Sequence, residues 1–382
     1  MMNRRDFLRG ALVPCMTFMT HSLGDIIFSK AFGLPPSNTT QDINFQESLR
    51  EAMFYQKLDK KRVRCTTCFR MCMVSQGERG FCRVRENKNG TYYSLVYGRP
   101  SALQIDPIEK EPQHHMLPGT VILCFGTAGC NFVCNHCHNW HLSQANPEDL
   151  SVYNLSVEKT VDMALKKKIP TISFTYNEPT VFYEYVYDIA VIAKSKGLKI
   201  LWHSNGAMNH EPAKKLLKYT DAVTIDLKGF SKKAYDNSSA HLEPVLRTLR
   251  TIRHEGTWLE VVNLIIPTVN DHQEDIKRMC EWIRDSLGPE TPLHFSRFFP
   301  SYKLTRLNPT PVSALENARK IATDAGLCYA TIGNVPGHKY NSTFCPGCGK
   351  ILIERTHFHV SKINVEKGRC KSCSRIIPGI WS

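Results

Sequence analysis

The chain has 382 residues, 42% of them hydrophobic and 22% charged, with a formal net charge of +14. These proportions are those of a globular protein and exclude a disordered chain or a collagen-like repeat. The positive charge is spread along the chain. The clusters at Lys60, Lys61, Arg62 and Arg64 and at Lys166, Lys167 and Lys168 read as solvated faces or as contacts for an anionic protein, ahead of a nucleic-acid footprint.

In chain order, Asn3-Arg4-Arg5-Asp6-Phe7-Leu8-Arg9 precedes a short apolar stretch at 11–19, and Ser29-Lys30-Ala31 follows as a small-residue cleavage site. Residues 1–33 therefore resemble a twin-arginine leader. The apolar stretch is too short to span a bilayer. Export or membrane tethering is expected, with a cytoplasmic location as the close alternative. Residues 34–64 read as a linker and a helix, because Phe45, Leu49, Met53 and Leu58 recur at near-helical spacing. A cysteine-rich domain is expected over 65–117.

From 118 to 340, strand-like runs alternate with amphipathic helical patterns. The expected strands are 120–125, 171–175, 199–203, 222–227, 258–265, 293–297 and 328–332; the expected helices are 157–167, 180–196, 211–217, 243–255, 273–286 and 312–325. The strands are nearly continuously apolar, as parallel strands buried on both faces are. Six β-α units and a closing strand predict an α/β fold, a full or partial barrel with its chemistry at the C-terminal ends of the strands. Residues 341–382 form a separate cysteine-bearing tail.

Of the fifteen cysteines, eleven fall into three groups with metal-ligand spacing, a metal inventory rather than a disulfide framework. Cys124 and Cys328 read as small buried hydrophobes. Cys130-x3-Cys134-x2-Cys137 lies in the loop after the first barrel strand. Three thiolates hold three irons of a [4Fe–4S] cluster and leave the fourth iron open to a ligand. The alternative is a closed zinc site completed by His136 or His138, which would crowd every ligand into one loop. Cys345-x2-Cys348 and Cys370-x2-Cys373 form the two separated knuckles of a zinc-ribbon-like site. Cys65-x2-Cys68-x3-Cys72-x9-Cys82 fits either a zinc ion or an auxiliary [4Fe–4S] cluster.

The C-x3-C-x2-C loop resembles the signature of radical S-adenosylmethionine (SAM) enzymes. In those enzymes the open iron chelates SAM, and one electron cleaves it to a 5′-deoxyadenosyl radical. Further segments carry a narrower resemblance. They include Cys65-Thr-Thr-Cys68, Gly80-Phe-Cys82, Asp106-Pro-Ile-Glu-Lys110, Gly129-Cys-Asn-Phe-Val-Cys134, Tyr176-Asn-Glu-Pro-Thr180 and Cys345-Pro-Gly-Cys348. Together they are similar to the radical SAM member of the AmmeMemoRadiSam system, a relative of pyruvate formate-lyase activating enzymes.

That resemblance implies a partial (β/α)6 barrel, hydrogen abstraction from a protein or peptide, a low-potential electron donor, and AMMECR1-like and Memo-like partners; the alternatives are radical modification of RNA and a non-catalytic iron–sulfur and zinc scaffold. It implies SAM contacts from Asn177 and Glu178 after the second barrel strand, Ser204 and Asn205 after the third, and Asp226 and Lys228 after the fourth. Arg297 on the sixth is a further candidate for a carboxylate, through its planar guanidinium. His294 on the same strand reads as an interior histidine with its hydrogen bonds met.

Overall fold

The structure, a computed structural model, describes residues 49–382. The twin-arginine-like segment and residues 34–48, Phe45 among them, lie outside them. Among the described residues no helix is long and apolar enough to cross a membrane.

The expected helix before the first cysteines is absent over its described part. Instead β1 (Arg50–Glu51) and β2 (Tyr55–Lys57) are short strands. The apolar residues there are too sparse to bury a helix face, and pairing decides the conformation. Tyr55 lies opposite Cys65 as β2 joins β3 (Val63–Cys65), which pairs in turn with β4 (Met73–Val74). A second antiparallel sheet joins β1 to the hairpin of β5 (Arg85–Lys88) and β6 (Thr91–Ser94).

The central sheet has eight strands in consecutive order. These are β7 (Ala102–Pro107), β8 (Val121–Gly126), β9 (Thr171–Phe174), β10 (Lys199–Ser204), β11 (Ala222–Asp226), β12 (Trp258–Ile265), β13 (Leu293–Arg297) and β14 (Ala330–Gly333). From β8 to β14 every neighbour is parallel; β7 runs antiparallel to β8. The edge strands β7 and β14 do not pair, so the sheet is open.

Among the described residues the longer helices connecting the parallel strands are α1 (Val157–Lys166), α2 (Tyr183–Ser195), α3 (His210–Leu217), α4 (Leu242–His254), α5 (Gln273–Leu287) and α6 (Val312–Asp324). The Ser156 hydroxyl caps α1 by accepting from Lys159 N at 3.3 Å. Apolar faces of these helices pack on the sheet in one continuous core that includes Phe125, Phe174, Trp202 and Phe295.

The tail adds an antiparallel sheet of β15 (Thr343–Phe344), β16 (Ile351–Thr356) and β17 (His359–Ile363), and the pair β18 (Val365–Glu366) and β19 (Arg369–Cys370). It is fastened to the open side of the central sheet. Buried Arg355 donates to His114 O at 2.7 Å, and Ile380 N donates to His115 O at 2.7 Å.

Candidate functional site

The C-terminal ends of the parallel strands surround a cavity of about 280 Å3. Cys130, Cys134 and Cys137 all line it, presented by the loop after β8. Gly129 starts that loop at φ +83°, and a Cβ there would collide with Cys82 O of the N-terminal module. Only glycine fits so close an approach. Asn177 then holds the loop: its amide donates to Gly129 O at 2.8 Å and accepts from Thr127 N at 3.1 Å. Tyr176, at the end of β9, sits at φ +68°, a strained conformation for a non-glycine residue. Its carbonyl accepts from Asn139 at 2.7 Å and its hydroxyl donates to Asp106 at 2.7 Å.

The thiols have few partners of their own. Phe132 N donates to Cys130 Sγ at 3.3 Å, Asn205 Nδ2 is 3.8 Å from the same sulfur, and Cys137 Sγ lies 3.3 Å from Ser143 Oγ. Burial pushes the Cys134 thiol up to about 11, against the pull of the Lys228 ammonium, and raises the Cys130 thiol as well. Metal binding must therefore supply the charge that makes them thiolates. The alternative zinc set does not form. Among the described residues these thiols and His136 do not converge to zinc-ligand distance, as the tail quartet does. His136 is instead held by Asn237, whose amide donates to Nδ1 at 3.0 Å. One buried and two half-buried thiols on the wall of this cavity fit a cluster with one open iron and a nucleoside ligand beside it.

A charged chain crosses the cavity. Lys228 Nζ is 2.6 Å from Asp226, Asp226 is 3.1 Å from His203 Nε2, and His203 Nδ1 is 3.3 Å from Glu111. Burial alone would depress His203, but the Asp226 and Glu111 carboxylates outweigh it and push the imidazole up to about 10. Burial would likewise raise Asp226, yet Lys228 and His203 hold it well below the usual carboxylate range. Lys228 also feels the charge of Cys134 and Cys137. A fixed cation therefore faces the cysteine loop.

Of the residues expected here, Asn177, Ser204, Asn205, Asp226 and Lys228 line the cavity; Glu178 and Arg297 do not. The Glu178 carboxylate, fully buried, accepts from Thr180 N at 3.0 Å, Thr180 Oγ1 at 2.5 Å, Ser204 Oγ at 2.8 Å and Asn205 N at 2.8 Å. It ties the end of β9 to the end of β10, with three of the bonds on Oε1 and one on Oε2. Arg297 faces away because side chains alternate along β13. Its Nε donates to Thr310 O at 2.8 Å and its guanidinium lies over Phe299, while His294 and Ser296 face inward. His294 has both ring nitrogens met at 2.7 Å, by Glu260 and Thr331, as the sequence reading has it.

Sequence reasoning missed His203, Glu111, Glu109, His114 and Asn341. The last three lie toward the tail, where Glu109 Oε2, His114 Nδ1 and Asn341 Oδ1 are buried without a hydrogen-bond partner among the described residues. His357 and Phe358 of the tail complete that end of the cavity. The Glu109-x-Glu111 acidic pair beside a strand was the one available signal.

The sequence pattern of the Radical SAM superfamily matches residues 125–283, which span the cysteine loop and β9 to β12. The chain belongs to the radical SAM superfamily, whose members are enzymes. An uncharacterised protein of Methanocaldococcus jannaschii is 48% identical over 334 residues, covering 86% of this chain and 99% of that protein. The pyruvate formate-lyase-activating enzyme of Clostridium pasteurianum is 22% identical over 181 residues, 41% of this chain and 67% of that enzyme. A solved radical SAM methyltransferase from Sphaerobacter thermophilus aligns at 14% identity with a TM-score of 0.46, covering 61% of this chain and 71% of its own.

Proposed function

We propose that the chain is the radical SAM component of an AmmeMemoRadiSam-type system, an activating-enzyme-like oxidoreductase that removes a hydrogen atom from a protein or peptide. The observation that supports this most is the convergence of three thiols, not four, on a cavity walled by strand ends. When bound, a [4Fe–4S] cluster at Cys130, Cys134 and Cys137, with SAM on its open iron, supplies a one-electron cleavage of the sulfonium and a carbon radical for hydrogen abstraction.

The chain's own residues hold and orient. Asn177 fixes the cysteine loop through Gly129, and Glu178 fixes Ser204 and Asn205. Asn205 presents an amide beside Cys130 for the ribose of SAM, and Lys228 a cation for its carboxylate. Glu109, His114 and Asn341 offer unmatched hydrogen-bonding atoms to the substrate group that enters the far end.

The tail cysteines take Zn2+ in this reading. Cys345 and Cys373 sulfurs are 3.6 Å apart, Cys348 and Cys370 3.8 Å, and all four lie within 4.8 Å of one another. A tetrahedron of Zn–S bonds of about 2.3 Å requires sulfurs about 3.8 Å apart. The implied partners are a low-potential electron donor and AMMECR1-like and Memo-like proteins.

The test is anaerobic reconstitution followed by SAM and dithionite. Wild-type protein forms 5′-deoxyadenosine and Cys134→Ala forms none. Iron-loaded wild type that leaves SAM intact overturns the reading.

A further inference from the structure

A second set of four cysteines lies across the wall from this cavity. Cys65 ends β3, Cys68 and Cys72 sit in the turn before β4, and Cys82 sits in the turn before β5. All four line one small void, together with Arg70, Tyr92, Asn131 and Thr180. The cysteine loops are bolted to the third strand end: Asn209 Nδ2 donates to Thr66 O at 2.8 Å and Cys68 O at 2.9 Å, and Phe69 N donates to Ala207 O at 3.2 Å.

The geometry separates the two metal classes that spacing leaves open. Among the described residues the tail quartet is the group whose ligand atoms all lie within 4.8 Å of one another. The N-terminal sulfurs stand around a void instead of collapsing on a point. One zinc ion requires sulfurs about 3.8 Å apart, whereas a cubane spreads its thiolates over four irons.

The wall is also prepared for inorganic sulfur. Asn131 is 1% exposed, and its Oδ1 is fixed by Asn205 Nδ2 at 2.7 Å. That leaves Asn131 Nδ2 on the void with no partner among the described residues. A buried amide donor costs free energy unless it is met, and cluster sulfides accept such bonds. Arg70 donates to Asn131 O at 2.9 Å and lies within electrostatic reach of Cys68, Cys72 and Cys130, so one cation bridges the two cysteine sets.

We propose that Cys65, Cys68, Cys72 and Cys82 hold a second [4Fe–4S] cluster that passes electrons to the site at Cys130, Cys134 and Cys137 across the Cys130–Asn131 step. The role of the receiving site rests on the radical SAM reading above. Four thiolates saturate the irons, so this cluster binds no substrate and its chemistry is electron transfer. A low-potential one-electron carrier is oxidised by one electron and the second cluster is reduced by one. It is reoxidised when that electron moves on, with no bond made or broken at the quartet.

The decisive variant is full-length protein carrying Cys130→Ala, Cys134→Ala and Cys137→Ala. After anaerobic reconstitution it retains about four irons and four sulfides per chain, with a reduced-state EPR signal that SAM does not perturb. Zinc in place of that iron overturns the cluster. The relay is read separately in Cys72→Ser, chosen because Cys72 is half-buried. With dithionite it still cleaves SAM, but with a reduced flavodoxin-type carrier it loses that activity. Equal retention with both reductants overturns the relay. Iron retained in the triple variant while wild type cleaves no SAM sinks the radical SAM reading and spares the second cluster.

Discussion

The two ends of the cavity are built on opposite terms. At the cysteine end the polar side chains are matched to one another: Asn177 to the loop carbonyls, Glu178 to Thr180, Ser204 and Asn205, and Asp226 to His203 and Lys228. At the tail end Glu109, His114 and Asn341 each keep a buried atom without a partner among the described residues. Buried polar atoms are nearly always met, so the contrast distinguishes a preset end from one completed by what binds there.

The largest effect falls on the residue that holds the tail end in place. Glu260 is buried and accepts from His114 N at 2.9 Å, His115 N at 2.8 Å, Trp258 Nε1 at 2.9 Å and His294 Nε2 at 2.7 Å. Glu260→Ala strands four donors and costs about 3–5 kcal/mol in denaturant unfolding. A loss below about 1 kcal/mol breaks the picture of a carboxylate anchoring this end.

Next comes the preset charge chain. Because the folded pKa of His203 is raised to about 10, its contribution is complete below the unfolded value of about 6.5 and is lost as pH rises toward 10. Wild-type melting temperature should fall by a few degrees over that window, and His203→Gln should flatten the decline. An unchanged slope shows that the imidazole is not held as a cation.

A smaller effect separates the two ends directly. His114→Phe should change stability by about 1 kcal/mol or less, leave SAM cleavage unchanged and lower the use of the partner substrate. Reduced SAM binding in this variant would mean the two ends are not distinct. The smallest change is expected from Arg297→Gln, whose side chain faces Thr310 and Phe299. Its SAM affinity should match wild type, and a clear loss would put Arg297 back in the site.

The central strands were legible because continuous apolar runs are what a two-sided sheet demands, and β12 and β13 fall at 258–265 and 293–297 as expected. β7 was not. Only Leu103 and Asp106 in it are buried, it ends on Pro107, and it runs against the other strands. The segment before Cys65 misled because helical spacing of a few apolar residues does not outweigh strand pairing. Strand-end order singled out Asn177, Ser204, Asn205, Asp226 and Lys228, which line the cavity. It could not show that Glu178 serves its neighbours, since that depends on where Thr180 and Asn205 N come to rest. Arg297 was legible in principle, since alternation along β13 turns it away once His294 faces inward.

The bond from Arg355 to His114 O joins residues 241 apart in the chain. During synthesis the cysteine loop around Cys137 therefore exists long before the stretch that walls off the tail side of its cavity. From the completion of β14 at Gly333 until Arg355 emerges, the cavity has its strand-end walls and lacks the tail side, a short interval late in synthesis.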